Sequence, residues 1–229
     1  MPEETPRTLN HFGYYAWKDS YWALAPDARA ALHQALLQAL RASVPMVDVY
    51  QVAPAESGCD LLIWTAAPIA APVDTSSFFD KLARALNPYR AYLLPVDVLW
   101  GFTRPSQYTK TRSNQEIDPF STTRKRYLVV YPFVKTTDWY LMGREARQGF
   151  MNEHIRIGKQ YEDVTQLLLY SFGLQNQEFV VVYEMDDPTR FSDLVNELRS
   201  AEGRRYTERD TPLHMAIYHR ADETLGLFK

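Results

Sequence analysis

The chain has 229 residues, with 25 Lys and Arg against 28 Asp and Glu, for a formal net charge of −3. Hydrophobic residues make up 46% and aromatic residues 14%, enough for a substantial core, while the slight acidity gives no reason to propose nucleic-acid binding. The single cysteine, Cys59, excludes an intrachain disulfide and fits a reducing compartment.

The N-terminus, MPEETPRTLN, is polar and carries acids. It has neither the basic nor the apolar region of a secretory signal, so a cytoplasmic location is expected. Pro26–Leu40 reads as a first helix, followed by strands near Met46–Val52 and Asp60–Thr65 and a second helix over Ser77–Leu86. The longest uncharged apolar run, Leu61–Val73, contains two prolines and is too short to span a bilayer. Thr103–Arg126 then has almost no apolar periodicity. It holds Arg104, Lys110, Arg112, Arg124, Lys125 and Arg126 against Glu116 and Asp118. A loop this long is either a solvated crossover or a functional segment.

Beyond it, Arg126–Val134 is rich in β-branched and aromatic residues and reads as a strand. Arg144–Gln160 reads as a helix. Leu167–Phe172 and Glu178–Glu184 read as strands joined by a turn at Gly173. In Pro188–Ser200, Phe191, Leu194, Val195 and Leu198 recur with helical spacing. Thr211–Tyr218 is expected to close the sheet.

These elements repeat. YAWKDSYWALAPDARAAL from Tyr15 aligns with FVKTTDWYLMGREARQGF from Phe133, so that Trp22 meets Tyr140, Ala28 meets Ala146 and Arg29 meets Arg147. The same offset lays Asp60-Leu-Leu-Ile-Trp on Glu178-Phe-Val-Val-Val. Two separated blocks with one offset indicate two copies of one unit. Antiparallel strands with interspersed helices imply an α+β fold. The halves are expected at 1–102 and 127–229, joined by the basic loop 103–126.

No pair among His11, His33, His154, His214 and His219 has the spacing of a helical zinc site, and there is no CxxC, GxSxG, Walker or dinucleotide fingerprint. His154 stands out because Ala146, Phe150, His154 and Ile157 share one helical stripe. It is either a core histidine or a ligand aimed into a cavity, since neutral imidazole is a common axial ligand for haem iron. Its counterpart in the first copy is Leu36. Tyr131 is either core or a redox and proton-transfer phenol. Trp139 suits a core position and Lys135 a solvated one. Gln166 opens an apolar strand, as an edge residue or a polar group facing a pocket. Glu202 follows the last helix, either exposed or bonded to a histidine.

The stretches RYLVVYPFVKTTDWYLM, EARQGFMNEHIRIGKQY, LLLYSFGLQNQEFVVVYE and LRSAEGRRYTERDTP resemble the chlorite dismutase superfamily, which includes the coproheme decarboxylases. The resemblance covers nearly the whole chain and is most specific from Tyr127 to Tyr206. It implies a dimeric α+β barrel built from two ferredoxin-like halves, assembling as a homo-pentamer or other ring. It implies haem b or iron coproporphyrin III as cofactor. The expected activity is peroxide-dependent decarboxylation of porphyrin propionates. Chlorite dismutation and a non-catalytic or cofactor-free member are the alternatives. By the same resemblance His154 is the iron ligand and Glu202 the acid bonded to it. Lys135 and Trp139 match a lysine and tryptophan beside the haem, and Tyr131 matches the decarboxylase radical tyrosine. Arg124, Arg126 and Tyr108 would meet the propionates. Gln166 aligns where chlorite-degrading members carry an arginine, and a neutral amide does not supply that charge.

Overall fold

The computed structural model describes residues 7–108 and 113–229. The chain divides into two compact units, one formed by residues 1–103 and 215–229, the other by residues 104–214.

The first unit runs β1 (Arg7–Trp17), α1 (Asp19–Trp22), α2 (Pro26–Ser43), β2 (Met46–Gln51), β3 (Leu61–Ile69), α3 (Pro72–Leu86) and β4 (Leu93–Thr103). Pro26 and Pro72 each stand in the first turn of a helix, where a missing N–H costs nothing. The strands are antiparallel in the order β4-β1-β3-β2, so chain neighbours β1 and β2 are separated by β3. Leu9, Tyr15 and Trp17 of β1 and Leu61 and Ile63 of β3 form one core with Leu36 and Leu40 of α2 and Phe78 and Leu82 of α3. Phe12 and Trp64, on the alternate positions, are also fully buried, which explains why these strands read as continuous apolar runs.

The second unit repeats the plan with β5 (Tyr127–Lys135), α4 (Thr137–Leu141), α5 (Arg144–Gly158), β6 (Thr165–Tyr170), β7 (Phe179–Met185), α6 (Pro188–Arg199) and β8 (Thr207–Arg209). Its antiparallel pairings are β6 with β7, β7 with β5 and β5 with β8. The repeat seen in the sequence is structural: an offset of 118 residues carries Leu61, which opens β3, onto Phe179, which opens β7, and Pro26 of α2 onto Arg144 of α5. The expected α+β class is what the chain adopts.

The stretch 207–218 forms two strands where one was expected. Thr207–Arg209 lies on β5, and β9 (His214–Tyr218) pairs with β2 through Tyr50 opposite Tyr218 and Gln51 opposite Ile217. Pro212 between them has no N–H to continue a ladder. The chain ends in α7 (Ala221–Gly226), which packs into the first unit: Leu225 and Phe228 join its core, and Thr224 Oγ1 donates to the Val49 carbonyl at 2.9 Å.

Candidate functional site

The register of the second sheet sorts its side chains. Gln166 stands opposite Tyr183, and Tyr183 opposite Val129; Leu168 stands opposite Val181, and Val181 opposite Tyr131. Alternation therefore puts Gln166, Leu168, Tyr183, Val181 and Tyr131 on one face. The opposite face, with Leu128, Val130, Leu169, Val180 and Val182, is fully buried. The first face is different: Leu168 is 43% exposed, Gln166 is exposed and Tyr131 half-buried. Phe191 of α6 covers Tyr183 with ring centroids 5.0 Å apart, so this is the face the helices approach.

Lys135 connects the sheet to α4 and to the segment after α6. Its Nζ lies 5.1 Å from the Phe133 ring centroid and 4.4 Å from that of buried Trp139. It also reaches the Gly203 carbonyl at 3.5 Å. Burial, then the charge of Arg204, lowers its pKa to about 8, against a raising effect of Glu178. Lys135 is also the charged neighbour of His154, whose pKa burial and that charge lower to about 4. His154 is thus a neutral imidazole at neutral pH, within the electrostatic reach of Lys135 on the strand that carries Tyr131. Part of its surface remains open, yet the protein around it is dense enough to disfavour the cation.

The repeat makes a useful control. In the first unit α2 buries His33, Leu36, Leu37 and Leu40 against its sheet. In the second, α5 buries only Ile157, and His154 stands half-exposed where the first copy has Leu36. Below His154, Phe150, Trp139 and Tyr206 form an aromatic cluster, with Phe150 and Tyr206 centroids 5.2 Å apart. A neutral, partly open imidazole one helical turn from an aromatic cluster fits a flat hydrophobic ring carrying a metal.

Tyr131 has a partner that the sequence reading missed. Its ring stacks with that of Tyr183, centroids 6.3 Å apart. Burial, then Tyr183, raises the Tyr131 pKa well above 10, so the phenol stays protonated. Asp210, paired with Arg199 at 2.8 Å and Arg204 at 2.7 Å, also acts on it. Tyr183 carried a signal: it follows three consecutive valines in its strand.

The remaining predicted residues fall elsewhere. Glu202 is exposed, its carboxylate 3.1 Å from Arg205, and its backbone N–H donates to Glu153 Oε2 at 3.0 Å. Arg124 is buried: its Nε is 3.8 Å from Glu184 Oε1, the side chains 2% and 6% exposed. Its terminal nitrogens donate to the Asp118 carbonyl at 3.0 Å and the Pro119 carbonyl at 2.5 Å. That guanidinium braces the loop. Arg126 is exposed, and its backbone N–H donates to Asp186 Oδ1 at 2.9 Å. Tyr108 is half-buried, and its carbonyl accepts from Gln148 Nε2 of α5 at 3.2 Å. Lys110 and Arg112 lie outside the described residues. His11 and His33 are core histidines of the first unit, both lowered to about 4 by burial. Among the described residues no cluster of three His, Cys, Asp or Glu side chains forms a protein-only metal site, and no helix is long and apolar enough to cross a membrane.

Comparison with known proteins adds to this geometry. A family model described as chlorite dismutase matches residues 26–218. The chain is similar to the coproheme decarboxylase of Mycolicibacterium smegmatis, at 29% identity over 170 residues, 72% of this chain and 69% of that one. The coproheme decarboxylase of Staphylococcus saprophyticus is 29% identical over 154 residues, 62% of this chain and 61% of that one. A mutant of chlorite dismutase from Candidatus Nitrospira defluvii has a similar fold, with TM-score 0.82 at 21% identity over 96% of this chain and 95% of that one. The imidazole complex of the same enzyme gives TM-score 0.80 at 20% identity over 96% and 94%.

Proposed function

The chain belongs to the chlorite dismutase family, and from that premise we propose that it is a haem-dependent oxidoreductase of the coproheme decarboxylase kind. The observations that carry this reading are the shared sheet face of Tyr131, a phenol that burial keeps protonated, and Gln166, and the neutral His154 near Lys135, which lies on the same strand as Tyr131.

His154 would hold the iron of coproporphyrin III or haem b. The metalloporphyrin supplies the oxidising chemistry, with hydrogen peroxide as the electron acceptor. In the net reaction each propionate loses carbon dioxide and two hydrogens and becomes a vinyl group, while peroxide becomes two waters. Tyr131 would contribute the phenol that, once it has given up an electron and a proton to the oxidising chemistry, takes hydrogen from the propionate side chain and is restored. Burial keeps that phenol protonated in the resting protein, so it has a hydrogen to give up. Lys135, held by the Trp139 ring and easily deprotonated for a lysine, tunes the charge beside His154. Arg126 and Tyr108 are the remaining described candidates from the loop for the propionates. Arg124 is assigned to bracing the loop and Glu202 to the surface.

We read the repeated stretches, 1–102 and 127–229 with the loop 103–126 between them, as ferredoxin-like halves of a dimeric α+β barrel in which the tail from residue 215 packs with the first unit. A cytoplasmic ring oligomer, such as a pentamer, is the proposed assembly. Chlorite turnover is the second reading, and the neutral side chain of Gln166 weighs against it. The test is titration with iron coproporphyrin III, then peroxide, with mass spectrometry of the porphyrin. Stepwise loss of carbon dioxide plus two hydrogens is expected, and Tyr131→Phe is expected to bind porphyrin without converting it. Turnover retained by Tyr131→Phe would refute the phenol step. A bound but unchanged porphyrin would turn attention to chlorite.

A further inference from the structure

Gln115 belongs to the loop that the sequence marks only as polar, yet its side chain has three hydrogen-bond acceptors. Its Nε2 donates to the carbonyls of Gly158 at 3.3 Å, Tyr161 at 2.8 Å and Val164 at 3.2 Å. Gly158 is the last residue of α5, one turn beyond His154, and Tyr161 and Val164 belong to the turn that leads into β6. The last carbonyls of a helix have no partners within it, and a side-chain donor is one way of meeting them. Three carbonyls around one terminal atom identify that atom as the NH2 rather than the oxygen.

The backbone of the same residue acts on the opposite element. Gln166 N–H donates to the Gln115 carbonyl at 2.7 Å, and Ile117 N–H donates to the Gln166 carbonyl at 3.0 Å. The loop thus takes both backbone groups of Gln166 in a short parallel bridge at Glu116. Buried Ile117 anchors the far end of this segment. One residue therefore grips the end of the helix that carries His154 and, through its backbone, the strand residue whose side chain shares a sheet face with Tyr131.

We propose that Gln115 is a positioning residue that sets the placement of Gln166 relative to the α5 end, and so the geometry around the bound iron porphyrin. The inference rests on the function proposed above for its consequence in the loaded protein, but its structural content stands in the protein without porphyrin. Gln115→Glu keeps the size and removes the donor, setting a carboxylate against three carbonyl oxygens. Gln115→Lys restores a donor with three hydrogens at a helix C-terminus, where a cation is favoured.

The first experiment is residue-resolved hydrogen exchange on the porphyrin-free chain. Exchange of the Gln166 and Ile117 amides is expected to rise about tenfold or more in Gln115→Glu, the scale of one or more lost hydrogen bonds. The Leu169 amide should keep its wild-type rate, and Gln115→Lys should restore protection. The second experiment is absorption and electron paramagnetic resonance of each variant loaded with iron coproporphyrin III. A changed spin-state distribution is expected in Gln115→Glu, with return towards wild type in Gln115→Lys. Wild-type protection in Gln115→Glu, or a lysine variant as exposed as the glutamate one, would overturn the proposal. If no variant and no wild type binds porphyrin, the exchange result still decides the role of Gln115, and only the functional reading falls.

Discussion

Replacing Arg124 by Met tests whether a loop arginine serves the fold or a ligand. In the structure its Nε lies 3.8 Å from Glu184 Oε1, with the two side chains 2% and 6% exposed. Two further nitrogens donate to the Asp118 and Pro119 carbonyls. Removing one member of a buried ion pair leaves the other charge without its counter-charge and costs about 3–5 kcal/mol. For a chain of this size each kcal/mol moves the melting midpoint by roughly 2–4 °C. Arg124→Met is therefore expected to melt roughly 6–20 °C lower, by circular dichroism of the porphyrin-free protein. The double variant Arg124→Met, Glu184→Gln removes both charges and is expected to recover a large part of the loss, with a coupling of about 1–3 kcal/mol. Porphyrin affinity, measured where both proteins are folded, should be close to wild type. A variant that melts at the wild-type temperature and binds iron coproporphyrin III poorly would refute the reasoning and return Arg124 to the propionates.

Other predictions follow from buried groups. His11 and His33 hold pKa values of about 4, against 6.5 in the unfolded chain, so between those values the unfolded state takes up protons that the native state does not. Stability should be flat above neutrality and fall as pH drops from about 6.5 towards 4, by about 2 kcal/mol per histidine at pH 5; a urea midpoint unchanged from pH 7 to pH 5 would contradict the shifts. Tyr21 Oη meets His33 Nε2 at 2.7 Å and donates to the Phe228 carbonyl at 2.5 Å, so Tyr21→Phe is expected to cost about 1–3 kcal/mol in chemical unfolding. Leu169 is fully buried, and Leu169→Ala should cost about 2–5 kcal/mol by the same assay. His154→Ala should leave stability near wild type, because the imidazole is half-open, while abolishing the absorption band of a histidine-ligated iron porphyrin.

The repeat was legible in the sequence because burial period and helix starts are local properties. Ala28 with Ala146, and Leu61 with Phe179, carry the same role in each copy, so one offset recovers both units. The same locality singled out His154, since its stripe with Phe150 and Ile157 depends only on helical spacing. The strand β1 was not marked individually, because a strand buried on both faces shows no alternation to read. What required the tertiary structure was partnership. The charges of 103–126 read alike in a row, but Arg124 finds buried Glu184 across 60 residues while Arg126 stays exposed. Glu202 lies close to Glu153 of α5, yet its carboxylate turns to Arg205. Tyr183 becomes the partner of Tyr131 only through the diagonal register of β5 and β7. Gln115 acquires its role because the turn after α5 brings three carbonyls to one point. Periodicity fixes which way a side chain points along its own element; which group waits there depends on strand order and loop closure, and those are settled only when distant segments pack.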